Sequence, residues 1–352
     1  MKAARMHKIG DFRTDTLDIP KIQGEQLLMK VGACGICGSD IPRIYELGTS
    51  NQKYPLTLGH EFAGEIVAVG DKADSSLIGT KAAVFPLIPC GTCDSCESGD
   101  YAKCYNYDYL GSRRDGGFAE YCVIPSKWHL VPSSNPRTSF GAMSMVEPAT
   151  VAQHAVRKGR VTGGSVVVIF GAGPIGIMAA RWCEIFGAFK VILFDVLDEK
   201  VKFSQSRGLA LTYNVLTEDA VSLVKHHNRG RLADVVIEGT GTGAALNLAI
   251  DCIKPNGTVV MLGNPHKDTV LSLKSHSNIL RKELEFRGVW NSNYSNNPVN
   301  EWQYTMDMLD KGIFQCEDLI THKTDLTGLP ELCRQIYKRE ISICKAVCCN
   351  LP

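Results

Sequence analysis

Residues 165–195 read SVVVIFGAGPIGIMAARWCEIFGAFKVILFD, and this stretch decides the fold. A fully apolar run, Val166 to Phe170, meets the turn Gly171-Ala-Gly173-Pro174-Ile175-Gly176, and an apolar-periodic segment follows. A second apolar run, Val191 to Phe194, ends on Asp195. Strand, glycine turn, helix and strand therefore follow one another within about 30 residues, the setting a dinucleotide fingerprint needs. Gly171 permits the tight turn, Gly173 lets the backbone approach a pyrophosphate, and Gly176 allows close helix–strand packing. The N-terminus of the helix offers unpaired N–H groups and a positive dipole end to the phosphates. Asp195, 19 residues past Gly176, can accept both ribose hydroxyls and would repel a 2′-phosphate, so NAD is expected over NADP.

The chain around this unit is long, 352 residues, enough for two domains. Its net charge of +1 leaves no basic footprint for nucleic acid. No apolar run approaches the ~18 residues of a membrane span, and the N-terminal MKAARMHKIGDF lacks the apolar core of a secretory signal. A cytoplasmic enzyme with no membrane partner is expected. Fourteen cysteines in such a chain point to metal ligation in a reducing compartment more than to a disulfide scaffold.

Residues 1–150 read as β-rich. Short runs (Gln26–Val31, Phe62–Val69, Lys81–Phe85, Phe118–Ile124) are separated by Gly, Pro and Asp punctuation. From about Thr150 the rhythm alternates strand and helix. Helices are expected near Glu199–Arg207, Asp219–His227 and Ala244–Ile253, and strands at Asp234–Glu238 and Thr258–Leu262, the last led by Asn256-Gly257. The pattern is α/β: a Rossmann doubly wound parallel sheet over 151–285, with ligands at the carboxyl ends of its strands. On that geometry Thr240, Gly241 and Gly263 are further cofactor contacts. Residues 286–352 hold too few elements for a core of their own, so they rejoin the first domain or extend the sheet.

Two groups of metal-ligating residues stand in the first 150 residues. Cys90, Cys93, Cys96 and Cys104 form C-x2-C-x2-C-x7-C within PCGTCDSCESGDYAKC. Four thiolates close a tetrahedral shell around zinc and leave no position for a substrate, which makes the role structural. Paired disulfides and an iron–sulfur cluster are the other readings; the bacterial cluster run has a shorter last gap. The second group is scattered: Cys37 in CGICGSD, His60 and Glu61 in LGHEFAG, Glu147 in VEPAT. One thiolate, one imidazole and one or two carboxylates make the mixed, open shell of a catalytic zinc. Singly, each has an ordinary explanation: a buried cysteine, a satisfied histidine, a helix-capping glutamate.

CGICGSD, GHEFAG, the cysteine lobe, RRDGGFAEY, VEPATV, GAGPIG and LFD occur in an order that resembles the zinc-dependent medium-chain dehydrogenases essentially end to end. The runs CGSDIPRI, YPLTLGHEF, GSRRDGGFAEY and LRKEL resemble the family's galactitol-1-phosphate group more than its sorbitol or threonine branches. The resemblance implies a mainly β GroES-like catalytic domain, made of 1–150 and the C-terminal segment, with the Rossmann domain inserted and the active site in the cleft. It implies Cys37, His60 and Glu147 as catalytic zinc ligands, with Glu61 a fourth, exchangeable ligand or the orienter of zinc-bound water. It assigns the structural zinc to Cys90, Cys93, Cys96 and Cys104, giving two zinc ions per chain. It also puts Lys345 near Cys37 or the pyrophosphate. Cys348-Cys349 departs from the aliphatic residues relatives tend to carry there.

In the chemistry this implies, zinc polarises a secondary hydroxyl of a polyol and hydride passes to the nicotinamide. Ser39 either passes the alcohol proton outward or simply forms the turn. Asp40 is placed to fix the His60 tautomer. Arg113 and Arg114 in GSRRDGGF, and Arg43, offer guanidinium forks to a phosphate; a solvated basic pair is the plainer reading. The leading expectation is an NAD- and zinc-dependent polyol-phosphate dehydrogenase, as a homodimer or homotetramer whose contact runs through Phe286–Trp290. The alternatives are a sorbitol-like or secondary alcohol dehydrogenase without phosphate, a nucleotide-sensing zinc protein that binds nucleic acid, and a zinc-free reductase.

Overall fold

The computed structural model describes residues 1–350, which form two compact units. Residues up to Pro148 and from Asn293 onward make the first, and Ala149–Ser292 make the second.

In the second unit six parallel strands lie in the order 3-2-1-4-5-6, counted along the chain within the unit, from Thr212–Asn214 at one edge to Glu285–Gly288 at the other. Val166–Phe170 is buried at every residue, because a parallel sheet with helices on both faces leaves neither face to water. That is why it reads as a continuous apolar run. Val168, Phe170, Ile192, Phe194, Val236 and Val259 form the centre of one core with Ala249 and Ile250 of the helix Gly243–Cys252. Glu285–Gly288 pairs with Ile253–Met261, so 286–292 belongs to this unit and the boundary lies beyond the expected 285. The strand expected from Thr258 begins at Ile253, and its pairing with Ala233–Glu238 shifts register between Ala233, opposite Ile253, and Val235, opposite Thr258. Asn256 accommodates it in the left-handed region (φ 57°), where asparagine is tolerated, so Asn-Gly marks a bulge here and not a strand start.

The first unit is built on a seven-stranded sheet whose central strand, Leu27–Gly35, pairs with Glu61–Val69, Tyr121–Ile124 and Lys345–Cys349. The C-terminal strand therefore lies in the sheet of the first 150 residues. Its Cys348 is fully buried in a core with Cys34, Phe62 and Phe118, so the departure from aliphatic residues is accommodated by small, apolar thiols. No helix among the described residues is long and apolar enough to cross a membrane.

Candidate active site and metal centres

The scattered group is assembled by strand register. Gly35 pairs with Glu61 across two antiparallel strands, so the turn after Leu27–Gly35 and the entry to Glu61–Val69 stand side by side. This brings Cys37, His60 and Glu61 together, one ligand atom of each lying within 4.8 Å of the others. Glu147, in the first turn of the helix Val146–Lys158, falls outside that set. Its carboxyl is pushed up by burial, pulled back by His60 and pushed further by Glu61, so it lies within electrostatic reach of both.

The surroundings orient these groups. Asp40 is fully buried; its Oδ2 accepts the Cys37 N–H at 3.0 Å, and its Oδ1 faces His60 Nδ1 at 3.6 Å. That leaves Nε2 of the imidazole for a metal. Burial works against the charged form of Asp40, but His60, Arg43 and the Cys37 amide outweigh it and hold the carboxyl below its usual range. Ser39, exposed, donates its hydroxyl to Cys37 Sγ at 3.3 Å. The Tyr109 ring meets the His60 ring edge-on at 5.9 Å.

Lys345 opens the C-terminal strand and pairs its Nζ with Glu61 Oε2; both side chains are buried. Burial disfavours the ammonium, yet Glu61 and then Cys37 more than restore it, and its pKa is raised. The expected position near Cys37 is thus correct in neighbourhood, with Glu61 as the direct partner. A Cβ at Gly35 would stand 2.3 Å from Glu61 Oε2 and 3.0 Å from Lys345 Cε, so only glycine leaves room for this pair. A single lysine inside the apolar run Cys344–Cys349 was the signal in the sequence; for Tyr109 there was none.

The cysteine lobe also closes. Sγ atoms of Cys90 and Cys96 lie 3.9 Å apart and those of Cys93 and Cys96 3.5 Å, with all four sulfurs within 4.8 Å. A disulfide needs about 2.05 Å, whereas zinc–sulfur bonds of about 2.3 Å set a tetrahedral edge near 3.8 Å. All fourteen cysteines are free thiols. Hydrogen bonds from Thr92 and Cys104 pull the Cys90 thiol down to about 6, toward the thiolate a metal requires.

At the carboxyl end of the parallel sheet the expected cofactor residues converge where the strand order reverses. Gly171 (φ 104°) donates its N–H to Phe194 O at 2.7 Å and abuts Gly239 and Thr240. The Gly263 backbone packs on Thr240 and Gly241. Pro174 and Ile175 open the helix Pro174–Ile185 behind Gly173. Asp195 Oδ2 accepts the Ala172 N–H at 2.8 Å, and Oδ1 accepts those of Val196 and Leu197, so the carboxylate also ties the glycine turn to the second strand. Glu238, which the sequence marks only as a strand end, is buried and accepts from Thr240 N, Thr240 Oγ1 and Gly241 N, shaping that loop.

The three arginines expected to meet a phosphate are each engaged within the chain. Arg43 Nη1 lies 3.2 Å from Asp40 Oδ1. Arg113 donates Nη1 to Tyr107 O and stacks over the Tyr107 ring at 4.0 Å. Arg114 Nε pairs with Asp108.

The family pattern "Alcohol dehydrogenase GroES-like domain" matches residues 23–135, and "Zinc-binding dehydrogenase" matches residues 174–311. The chain is 34% identical over 339 residues to galactitol 1-phosphate 5-dehydrogenase of Escherichia coli K12, covering 96% of this chain and 97% of that one. It is 31% identical to sorbitol dehydrogenase of Bacillus subtilis 168, covering 93% and 90%. The crystal structure of galactitol-1-phosphate dehydrogenase from Escherichia coli superposes with a TM-score of 0.91 at 32% identity, over 99% of this chain and all of that one.

Proposed function

The chain belongs to the zinc-dependent medium-chain dehydrogenases, a family of oxidoreductases using zinc and a nicotinamide dinucleotide, and on that premise we propose the following reaction. It oxidises a secondary hydroxyl of a sugar-alcohol phosphate resembling galactitol 1-phosphate to the ketose phosphate, with NAD as acceptor and two zinc ions per chain. Membership in an oxidoreductase family favours an enzyme over the non-enzymatic nucleotide-sensor reading. The observation that carries the proposal is the convergence of Cys37, His60 and Glu61 within 4.8 Å, in a chain that also carries the glycine turn.

Cys37, His60 and Glu147 would hold the catalytic zinc, with Glu61 exchanging as a fourth ligand, and Cys90, Cys93, Cys96 and Cys104 the structural one. When bound, the catalytic ion supplies Lewis acidity to the substrate hydroxyl. The nicotinamide supplies the hydride-accepting carbon. Asp40 orients His60, and Lys345 holds the Glu61 carboxylate by charge. Ser39 Oγ, exposed and 3.3 Å from Cys37 Sγ, is placed to pass the hydroxyl proton to solvent. Gly171, Gly173 and Gly176 with Pro174 and Ile175 would hold the pyrophosphate, Asp195 would accept the ribose hydroxyls, and Thr240 and Gly263 would contact the rest of the dinucleotide. Arg113, whose Nη1 is bonded to Tyr107 O, and Arg114 beside it are the phosphate contacts.

A sorbitol-like reading, with no phosphate requirement, is favoured by the engagement of Arg43, Arg113 and Arg114 with partners of their own. A panel of polyols with and without phosphate, followed by NADH absorbance with and without a strong chelator, separates the two. Turnover confined to phosphorylated polyols supports the proposal; equal turnover on both would sink it. For assembly we propose a homodimer, or a tetramer of such pairs, through the outer edge of Glu285–Gly288, where Trp290 is 58% exposed. Light scattering of Trp290→Asp would show a smaller species than the parent.

A further inference from the structure

Asp40 is a fully buried carboxylate that reaches two of the three segments bearing the candidate zinc ligands, bonded to the Cys37 amide and 3.6 Å from the His60 ring. A buried carboxylate with two such duties needs a fixed counter-charge, since an unpaired one costs several kcal/mol. His60 cannot supply it, because an imidazole that ligates a metal is neutral. Among the described residues, Arg43 is the permanent cation in ion-pair range, its Nη1 3.2 Å from Asp40 Oδ1. It stands three residues on, where the short helix Asp40–Pro42 runs into the wider turn Arg43–Leu47, so backbone and side chain are fixed together. Its side chain is 18% exposed, which leaves little of the guanidinium for a ligand in solution. Removing Arg43 leaves an unmatched negative charge in a low-dielectric site.

We propose that Arg43 is a positioning residue for the catalytic metal: its guanidinium clamps Asp40, and through Asp40 it fixes the His60 ring and the Cys37 turn. The proposal replaces a phosphate contact for this arginine, and it rests on the reading of Cys37 and His60 as zinc ligands. Arg113 and Arg114 are left to meet any substrate phosphate.

The test uses the full chain loaded with zinc, its Arg43→Met and Arg43→Lys variants, and Arg43→Met combined with Asp40→Asn. Zinc release to a chelator, followed per site, is the primary readout; the four-cysteine lobe serves as an internal reference in the same molecule. Arg43→Met should release one zinc about 10- to 100-fold faster, the range typical of lost partners behind a metal ligand, while the lobe zinc is retained as in the parent. Arg43→Lys, which keeps the charge and loses the planar fork, should fall between. kcat should fall with KM nearly unchanged, equally for phosphorylated and plain polyols. In the Asp40→Asn background the Arg43→Met change should add little, because the two act as one unit. Unchanged zinc release and kcat, with KM raised for phosphorylated polyols alone, would overturn the proposal and return Arg43 to the substrate. Loss of both zinc ions in step would also overturn it, as would additive losses in the double variant. If the parent itself binds zinc only at the lobe, the failure lies instead with the reading of Cys37 and His60.

Discussion

Gly173 and Gly176 sit three residues apart in the same turn, and replacing each by alanine separates a nucleotide site from an ordinary strand–helix connection. A Cβ on Gly176 would stand 1.8 Å from the carbonyl oxygen of Gly171. Ordinary contact for such a pair begins near 3.4 Å, so the carbonyl would have to retreat by about 1.6 Å. That carbonyl cannot swing aside cheaply, since Gly171 N–H is bonded to Phe194 O at 2.7 Å and the residue abuts Gly239 and Thr240. Gly176→Ala should therefore cost about 3 kcal/mol or more of stability in the second unit, the upper range for overpacking. Gly173 is different. Its φ of −79° and ψ of −178° suit any residue, and an added Cβ meets nothing within 4 Å. The protein alone has no objection to alanine there, and reduced freedom of the unfolded chain should make Gly173→Ala neutral or up to about 1 kcal/mol more stable. The objection should come from a bound pyrophosphate, with NAD affinity falling about 10- to 100-fold, or about 1.4–2.7 kcal/mol. Thermal unfolding without cofactor and NADH fluorescence titration measure the two quantities. If Gly173→Ala binds NADH within about twofold of the parent, no cofactor comes close to this backbone, and the dinucleotide assignment of the turn is refuted.

Other outcomes follow from particular side chains. Burial, only partly offset by the Ser126 backbone and reinforced by Arg114, pushes His129 down to about 4 from 6.5. Between those values the unfolded chain binds the extra proton, so His129 should cost up to about 3 kcal/mol as pH falls through that window. Urea unfolding of His129→Phe against the parent at pH 7, 5.5 and 4.5 reads the difference, and identical pH slopes would count against it. Asp195→Ser should lower the NAD-to-NADP preference by about tenfold or more through lost ribose contacts and repulsion. It should also cost about 1–3 kcal/mol, since the N–H groups of Ala172, Val196 and Leu197 lose their acceptor. Cys96→Ser should cut the zinc content from two to one per chain by elemental analysis and lower the melting temperature, with dehydrogenase turnover well below that temperature largely kept; two zinc ions retained would remove Cys96 from the lobe's shell.

The second unit was legible because its signals are local. A strand buried on both faces must be apolar throughout, a pyrophosphate turn must contain glycine, and both facts are written in consecutive residues from Val166 to Gly176. The cysteine lobe was legible for the same reason, its four thiols falling within fifteen residues of chain. Asn256-Gly257 reads in the sequence as the lead into a strand at Thr258, but an asparagine in the left-handed region serves a bulge as well as a turn, and only the pairing with Ala233–Glu238 distinguishes them.

Sequence by itself thus determined the parallel sheet, its glycine turn, the family and the list of groups able to ligate metal. Tertiary structure decided what those groups do to one another. The pairing of Gly35 with Glu61 sets Cys37 beside His60, and the C-terminal strand delivers Lys345 to Glu61 across 284 residues of chain. It also turned Arg43 inward to Asp40. Charges separated in sequence reveal their partners only when the backbone register is known, because ion pairing depends on distances of a few ångströms that no spacing along the chain encodes.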